Sequence, residues 1–233
     1  MKRPLFALLF LLSFFITSCY EEDPGPRQQD TRTFSFVDFD RVEAGYGLVV
    51  TITKSSAFTI QADGDRRNLD DLVVLKSGNS LMLGFNDTEK RQYLTNIYIT
   101  MPALTGVSFS GAVNGVVTGF DVSPVFDIAL SGASLAQLNV SANELTCSVS
   151  GASQLRLTGK GEKLTGIISG ASMLSSFDYP VTEAMLNVSG ASNGRVNVSQ
   201  LLKGSATGAS LILYRGQPDI DVDSSGESMV RKD

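Results

Sequence analysis

The chain has no histidine, no tryptophan, two cysteines and seven prolines among its 233 residues. Without histidine there can be no Ser-His-Asp triad, no Cys-His pair and no histidine-ligated zinc. No lysine has a serine three positions before it, so a Ser-x-x-Lys dyad is absent too. The many serines therefore have no general base to activate them as nucleophiles. Positive charge is scarce: 19 Lys and Arg stand against 24 Asp and Glu, for a net charge of −5. No basic stripe occurs, which argues against nucleic acid as a partner. The longest apolar run, Leu5 to Ile16, falls short of the roughly 20 residues that a helix needs to cross a bilayer.

What the chain has in abundance is repetition. The tetrad Ser-Gly-Ala-Ser occurs at 131–134, 150–153, 169–172 and 189–192, with near-copies at 110–113, 207–210 and 225–228. The glycines are Gly111, Gly132, Gly151, Gly170, Gly190, Gly208 and Gly226, spaced 18 to 21 residues apart. A period near 19 residues without helical apolar patterning predicts a stack of β coils. Aligned on these glycines, apolar residues fall into columns. Four positions before the glycine stand Val107, Ile128, Cys147, Gly166, Leu186, Gly204 and Val222; six after it stand Val117, Leu138, Leu157, Ser176, Val196, Tyr214 and Lys232. Between them lie Ser, Thr, Asn and Asp, the alternation of strands with two unlike faces. Each glycine is read as a structural corner, where a positive φ or a close backbone approach would exclude a side chain. The flanking hydroxyls can bond turn amides or the equivalent serine one coil away. Cys147 sits in an apolar column and is read as a small buried hydrophobe.

The expected fold is all-β: a single-domain, parallel β-helix-like solenoid spanning 33–233. Residues 105–233 form the regular repeats, and the last of these turns polar (Ser224, Glu227, Lys232), as a capping coil requires. Residues 33–104 lack the tetrads but read as strands, and are expected to form irregular opening coils. Leu72 to Lys76 and Leu81 to Leu83, around Ser77-Gly78-Asn79, read as a hairpin.

The first 18 residues read as a targeting signal: Lys2 and Arg3, a short apolar stretch, then Ile16-Thr17-Ser18-Cys19. This resembles the bacterial lipoprotein signal, and the resemblance implies cleavage before Cys19 and lipid attachment to its thiol. Residues 19–32 read as a lipidated cysteine followed by a flexible tether. Within it, Glu21-Glu22-Asp23 resembles the surface-export signal of Bacteroidetes lipoproteins; a plain solvated linker is the other reading. With residues 1–18 removed, 17 basic residues face 24 acidic ones.

Polysaccharide-cleaving β-helices need paired carboxylates or calcium ligands. Between 107 and 213 the acids are Asp121, Asp127, Glu144, Glu162, Asp178 and Glu183, at different column positions. The densest array is Asp219, Asp221 and Asp223, which would share one face of a strand; it lacks the spacing of a calcium loop and reads as a solvated, self-repelling edge. Asn139, Asn187 and Asn197 each open an Asn-x-Ser triplet, but within the repeats they read as structural.

A Phe-rich opening strand, the segment Ile97-Tyr98-Ile99-Thr100-Met101-Pro102-Ala103-Leu104, serial Ser-Gly-Ala-Ser corners, and Tyr214-Arg215-Gly216-Gln217-Pro218 before Ser225-Gly226 occur in this order. Together they resemble the auto-transporter adhesin head GIN domain family of Bacteroidetes lipoproteins, over roughly 33–230. The resemblance implies a β-helix-like fold and a cell-envelope location. The expectation is thus a non-catalytic, lipid-anchored protein of the outer membrane that needs no cofactor or metal and acts as an adhesin or ligand-binding module. Its partners would be the membrane, through the lipid, and a glycan or surface protein. Two alternatives stand beside it: a polysaccharide-active β-helix enzyme and a self-associating structural module.

Overall fold

The structure, a computed structural model, describes residues 25–87 and 91–233. The signal segment, Cys19 and Glu21-Glu22-Asp23 lie outside the described residues. From Asn114 onward the chain winds as coils, each a long bent strand: β9 (Asn114–Leu130), β10 (Leu135–Val149), β11 (Gln154–Ile168), β12 (Met173–Val188) and β13 (Asn193–Ala206). Each pairs in parallel with the next. Beyond them β14 (Leu211–Arg215) and β16 (Met229–Lys232) continue one arm of the coil, and β15 (Asp219–Ser224) continues the other. The protein is an all-β parallel solenoid with the expected repeat.

The columns read from sequence are the observed registers: Ile128 pairs with Cys147, Cys147 with Gly166, and Gly166 with Leu186. Side chains of these columns are buried through the middle of the stack and become half-buried at Val222 and Tyr214 and exposed at Lys232 in its last coil. Large and small alternate so as to interlock. Gly115 lies under the Phe109 ring, and the space beside Gly166 is filled by Leu186 and Ile168 methyls. Tight interdigitation of this kind is what gives a protein interior its density.

The tetrads form one edge of the stack. Their backbones continue the hydrogen-bond ladder around the bend: Ser150 N donates to Leu130 O at 2.9 Å, Ala152 N to Gly132 O at 2.7 Å and Gln154 N to Ser134 O at 2.9 Å. The glycines stand at φ near +75° (Gly151 +76°). Their missing side chain would point at the preceding corner: a Cβ on Gly170, Gly190, Gly208 or Gly226 would lie 2.5 to 3.0 Å from that corner's backbone oxygen. Both reasons for glycine therefore hold. The fourth residue of the tetrad turns inward, so Ser134, Ser153, Ser172, Ser192 and Ser210 make a buried serine column. Ser134 N donates to Ser153 Oγ at 3.2 Å and Ser172 N to Ser192 Oγ at 3.3 Å, the cross-coil bonding expected of the hydroxyls.

Opposite this edge each long strand bends a second time, and here the registers slip. Both arms stay in register, so the variation of the repeat between 18 and 21 residues is absorbed in this far bend. Its residues differ from coil to coil. One coil inserts Tyr179, fully buried, whose hydroxyl donates to Ala142 O at 3.3 Å; burial pushes that phenol up to about 12. Gly216 of the Tyr-x-Gly-x-Pro element lies in the same bend, between β14 and β15.

The opening of the stack differs from the expectation of coils alone. Parallel coil strands are present: β2 (Arg41–Ala44), β3 (Val49–Lys54) and β8 (Gly106–Phe109). Antiparallel strands lie beyond them. On one arm, β7 (Asn96–Met101) pairs parallel with β3, then β4 (Thr59–Asp65) and β1 (Gln29–Phe34) add antiparallel. On the other, β6 (Ser80–Phe85) pairs parallel with β2, and β5 (Leu72–Ser77) folds back on it as the predicted hairpin. β1 begins at Gln29, inside the stretch read as tether from the sequence, and its alternation lays Phe34 against the core and Thr31 and Thr33 outward. A short helix, α1 (Arg66–Asp71), joins β4 to β5 and is capped by Asp65. Asp65 is fully buried; it accepts from the Arg67 side chain at 2.7 Å, from Gln28 N at 2.8 Å and from Arg67 N at 3.0 Å. The Arg67 hydrogen bond, aided by these amides, holds its carboxyl well below the usual carboxylate range against the opposing effect of burial.

Candidate binding surface

The coil has two broad outward faces. The face carrying the arms that lead into each corner holds one row of mostly short side chains beside rows with longer ones such as Lys163, Met185 and Lys203. Ser108, Ala129, Ser148, Ile167, Asn187 and Ser205 succeed one another in register, one per coil. Ion pairs lie toward its two ends, Arg41–Asp127 at 3.1 Å and Lys203–Asp221 at 4.0 Å. The other face carries a row in which arginines alternate with uncharged residues: Gln137, Arg156, Ser175, Arg195, Leu213 and Arg231. Arg156 is held by Asp178 at 3.2 Å, and Arg215, near that row, stacks on Phe177 at 4.1 Å while paired with Asp233 at 2.8 Å. The triplet asparagines Asn139, Asn187 and Asn197 tie neighbouring coils: Asn139 donates to Thr158 Oγ1 at 3.0 Å, and Asn187 accepts from Ser205 Oγ at 2.9 Å.

A concavity combining an aromatic wall, apolar side chains and polar groups lies at the start of this first face, with a volume of about 470 Å³. Its floor is two rows of outward positions on β5, β6, β2 and β8. One row runs Leu75, Met82, Glu43, Ser108; the other is kept low by Gly84 and Gly45 and ends at Ser110. Tyr46 forms the wall. Its ring lies over Gly84 and meets the edge of Phe85 with centroids 6.4 Å apart. Tyr46 is half exposed and stands at φ +59°, a region that bulky residues rarely enter.

The corner ladder explains this placement. Ser110 N donates to Ala44 O at 2.9 Å and Gly47 N to Gly111 O at 2.8 Å, so Gly45-Tyr46-Gly47 is a first corner beneath the tetrads. Tyr46 occupies the glycine column there. No corner precedes it among the described residues, and its ring lies over Gly84 in the groove. Sequence reasoning missed this corner because it lacks the tetrad; an aromatic residue between two glycines was the available signal.

Of the other residues singled out, Cys147 is buried and free, and burial pushes its thiol up to about 12, which makes it inert as a nucleophile. Asp219, Asp221 and Asp223 lie exposed along β15, with Asp221 facing Lys203. Among the described residues no three His, Cys, Asp or Glu side chains converge on a metal site. The acids of the coils are dispersed: Glu144 and Glu183 flank Lys163 across neighbouring strands, while Asp127 and Asp178 are held by arginines.

Comparison with known proteins agrees with the architecture. A putative adhesin from Bacteroides fragilis superposes with a TM-score of 0.81 at 18% identity, covering 89% of this chain and 98% of that one. A putative adhesin from Parabacteroides distasonis gives 0.72 at 15% identity, covering 89% and 98%. A protein from the same species described as a putative lipid binding protein gives 0.68 at 17%, covering 88% and 96%. At these identities the likeness is one of fold. Curated proteins show no significant match. The family model described as "Putative auto-transporter adhesin, head GIN domain" matches residues 38–218, from just before β2 to the far bend after β14, and the chain belongs to that family.

Proposed function

We propose that this protein is a non-catalytic ligand-binding module of the cell envelope, an adhesin in the broad sense, held to the outer membrane by a lipid on Cys19. The observation that carries the reading is the outer surface itself. Outward rows repeat in register coil after coil, one of mostly short side chains and one alternating arginines with uncharged residues, with a groove at the start of the first and the acids of the coils dispersed. Such faces suit many weak contacts with a glycan or a surface protein. Retaining or inverting glycosidases need two carboxyl groups held at a fixed separation, an arrangement these dispersed acids do not suggest.

Two experiments test this reading. The protein is screened on a glycan array and against a panel of pectins, glucans, mucin glycans and glycosaminoglycans, scored for cleavage. Binding without turnover is expected; turnover abolished by neutralising a pair of carboxylates would replace the binding reading with the polysaccharide-active one. For the anchor, Cys19→Ser is expected to abolish palmitate labelling and to yield a soluble protein or an uncleaved precursor. Mature Cys19→Ser protein that remains in the membrane fraction through alkaline wash would place the anchor elsewhere. Protease added to intact cells reports whether the solenoid faces the exterior.

A further inference from the structure

We propose that the groove beneath Tyr46 binds an extended peptide segment of a partner protein through a lysine side chain flanked by apolar residues. The proposal rests on the reading of the protein as a binding module and names the partner chemistry of one site.

Charge sets the first requirement. Glu43 points out of β2 between Met82 on one neighbouring strand and Ser108 on the other, and it is only partly exposed. No cation or donor side chain among the described residues pairs with it. A carboxylate that reaches the groove without a partner from the protein is open to pair with a ligand cation. Two neighbouring arginines are already engaged. Arg41 is held by Asp127 at 3.1 Å; Arg91 is held by Asp71 and Asp87 and lies 3.8 Å over the Phe85 ring. No lysine or arginine lines the groove, so an anionic ligand would meet Glu43 without a positive charge from the lining to offset it.

Shape sets the second. Leu75 and Met82, exposed beside Glu43, and the Tyr46 ring give an apolar surface on which an alkyl stem lies while its ammonium reaches the carboxylate. A groove of about 470 Å³ exceeds one lysine side chain, so apolar neighbours on the same segment fill the Leu75 end. Ser108, Ser110 and Asn86 line the groove as hydrogen-bonding groups for the segment's backbone. The third observation is Tyr46 itself. Every later position of its column is glycine, yet here the backbone holds a large aromatic residue at positive φ, and such strain concentrates where a ligand is gripped.

The test titrates full-length protein in non-ionic detergent with a fluorescent Leu-Lys-Leu peptide and with its twin acetylated on the lysine. Wild type should prefer the free lysine by about tenfold or more, the scale of one charge-assisted contact. Glu43→Gln should lose that preference and bind both twins as wild type binds the acetylated one. Tyr46→Gly should weaken both twins equally. Because glycine already occupies the rest of the column, that variant keeps the fold. Equal binding of the twins by wild type, or an unchanged preference in Glu43→Gln, overturns the proposal. Absence of peptide binding by a sample that binds the glycan array overturns the proposal and leaves the binding module standing. A sample that binds neither the peptide nor any array ligand overturns both.

Discussion

From β9 onward each coil is templated by the coil before it, whereas strands β1 to β8 must begin the stack. In the regular region a residue's size is set by its neighbour across the corner or one coil away: Gly115 is small because Phe109, on the other side of its own corner, is large, and Gly166 because Leu186 of the next coil fills its place. In the opening region the stabilising devices are local and dissimilar: a hairpin, antiparallel strands, a capped helix and the buried Asp65. Antiparallel pairing at both arms gives the first coil a neighbour that is not another coil. Repetition makes the stack, and irregularity both starts it and supplies its groove.

The most severe way to break the templated region is Gly151→Val. The backbone stands at φ +76°, and a Cβ would press on the Gly132 carbonyl oxygen. Backbone strain alone costs about 1–3 kcal/mol, and the clash cannot be relieved without moving a hydrogen-bonded corner, so a loss above about 3 kcal/mol is expected. Equilibrium urea unfolding measures it. Stability equal to wild type would mean that the glycine column is compositional rather than conformational.

Gly115→Ala should cost about 2–3 kcal/mol, because the new methyl falls on the Phe109 ring in a close-packed core. Its informative partner is Phe109→Leu, which leaves room. The double variant should recover part of the loss, and simple additivity of the two single losses would show that the pair does not interlock.

These columns were legible in the sequence because a stack repeats its side chains at fixed register. The corner glycines, the apolar columns around Cys147 and the cross-coil bonding of the tetrad hydroxyls followed from the period; the inward turn of the fourth serine did not. The far bend was not legible. Gly159, Tyr179 and Gly216 solve the same turn with different residues, so no column forms. The groove was hidden for a related reason: Leu75, Met82, Glu43 and Ser108 come from four strands, and parallel and antiparallel pairing brings them together without any spacing along the chain.

The opening region should respond to pH through a single group. Asp65→Ala removes the helix cap, leaves Gln28 N without its acceptor and takes the carboxylate from the Arg67 guanidinium, at a cost of about 1–2 kcal/mol near neutrality. Because the native carboxyl titrates below its unfolded value, Asp65 stabilises fully above the unfolded value, near 3.9. That contribution fades as pH falls from there toward the native value. The gap between wild type and Asp65→Ala, followed by thermal melts from pH 7 down to pH 2, should therefore be widest at neutrality and narrow below about pH 4. A gap independent of pH would mean that the ion pair and amide bonds do not favour the charged form.

The smallest expected effect is the sharpest test of the comparison. Tyr46 and Gly151 share a column and a positive φ, so the substitution Tyr46→Gly is the mirror of Gly151→Val. Glycine relieves the backbone strain of a bulky residue at φ +59°, and this gain opposes two losses: the greater freedom of glycine in the unfolded chain and the ring's contact with Phe85. Since the ring is half exposed, the losses are small, and the net change should lie within about 1 kcal/mol of zero. Urea unfolding of the two variants side by side then separates two explanations of the column. If positive φ alone demanded glycine, Tyr46→Gly would stabilise by as much as the strain share of the Gly151→Val loss. If the backbone of the preceding corner makes the stricter demand, Gly151→Val fails badly while Tyr46 is tolerated at little cost. The second outcome is expected, because the first corner has no corner beneath it among the described residues and is therefore the place in the column where a side chain can project toward a ligand.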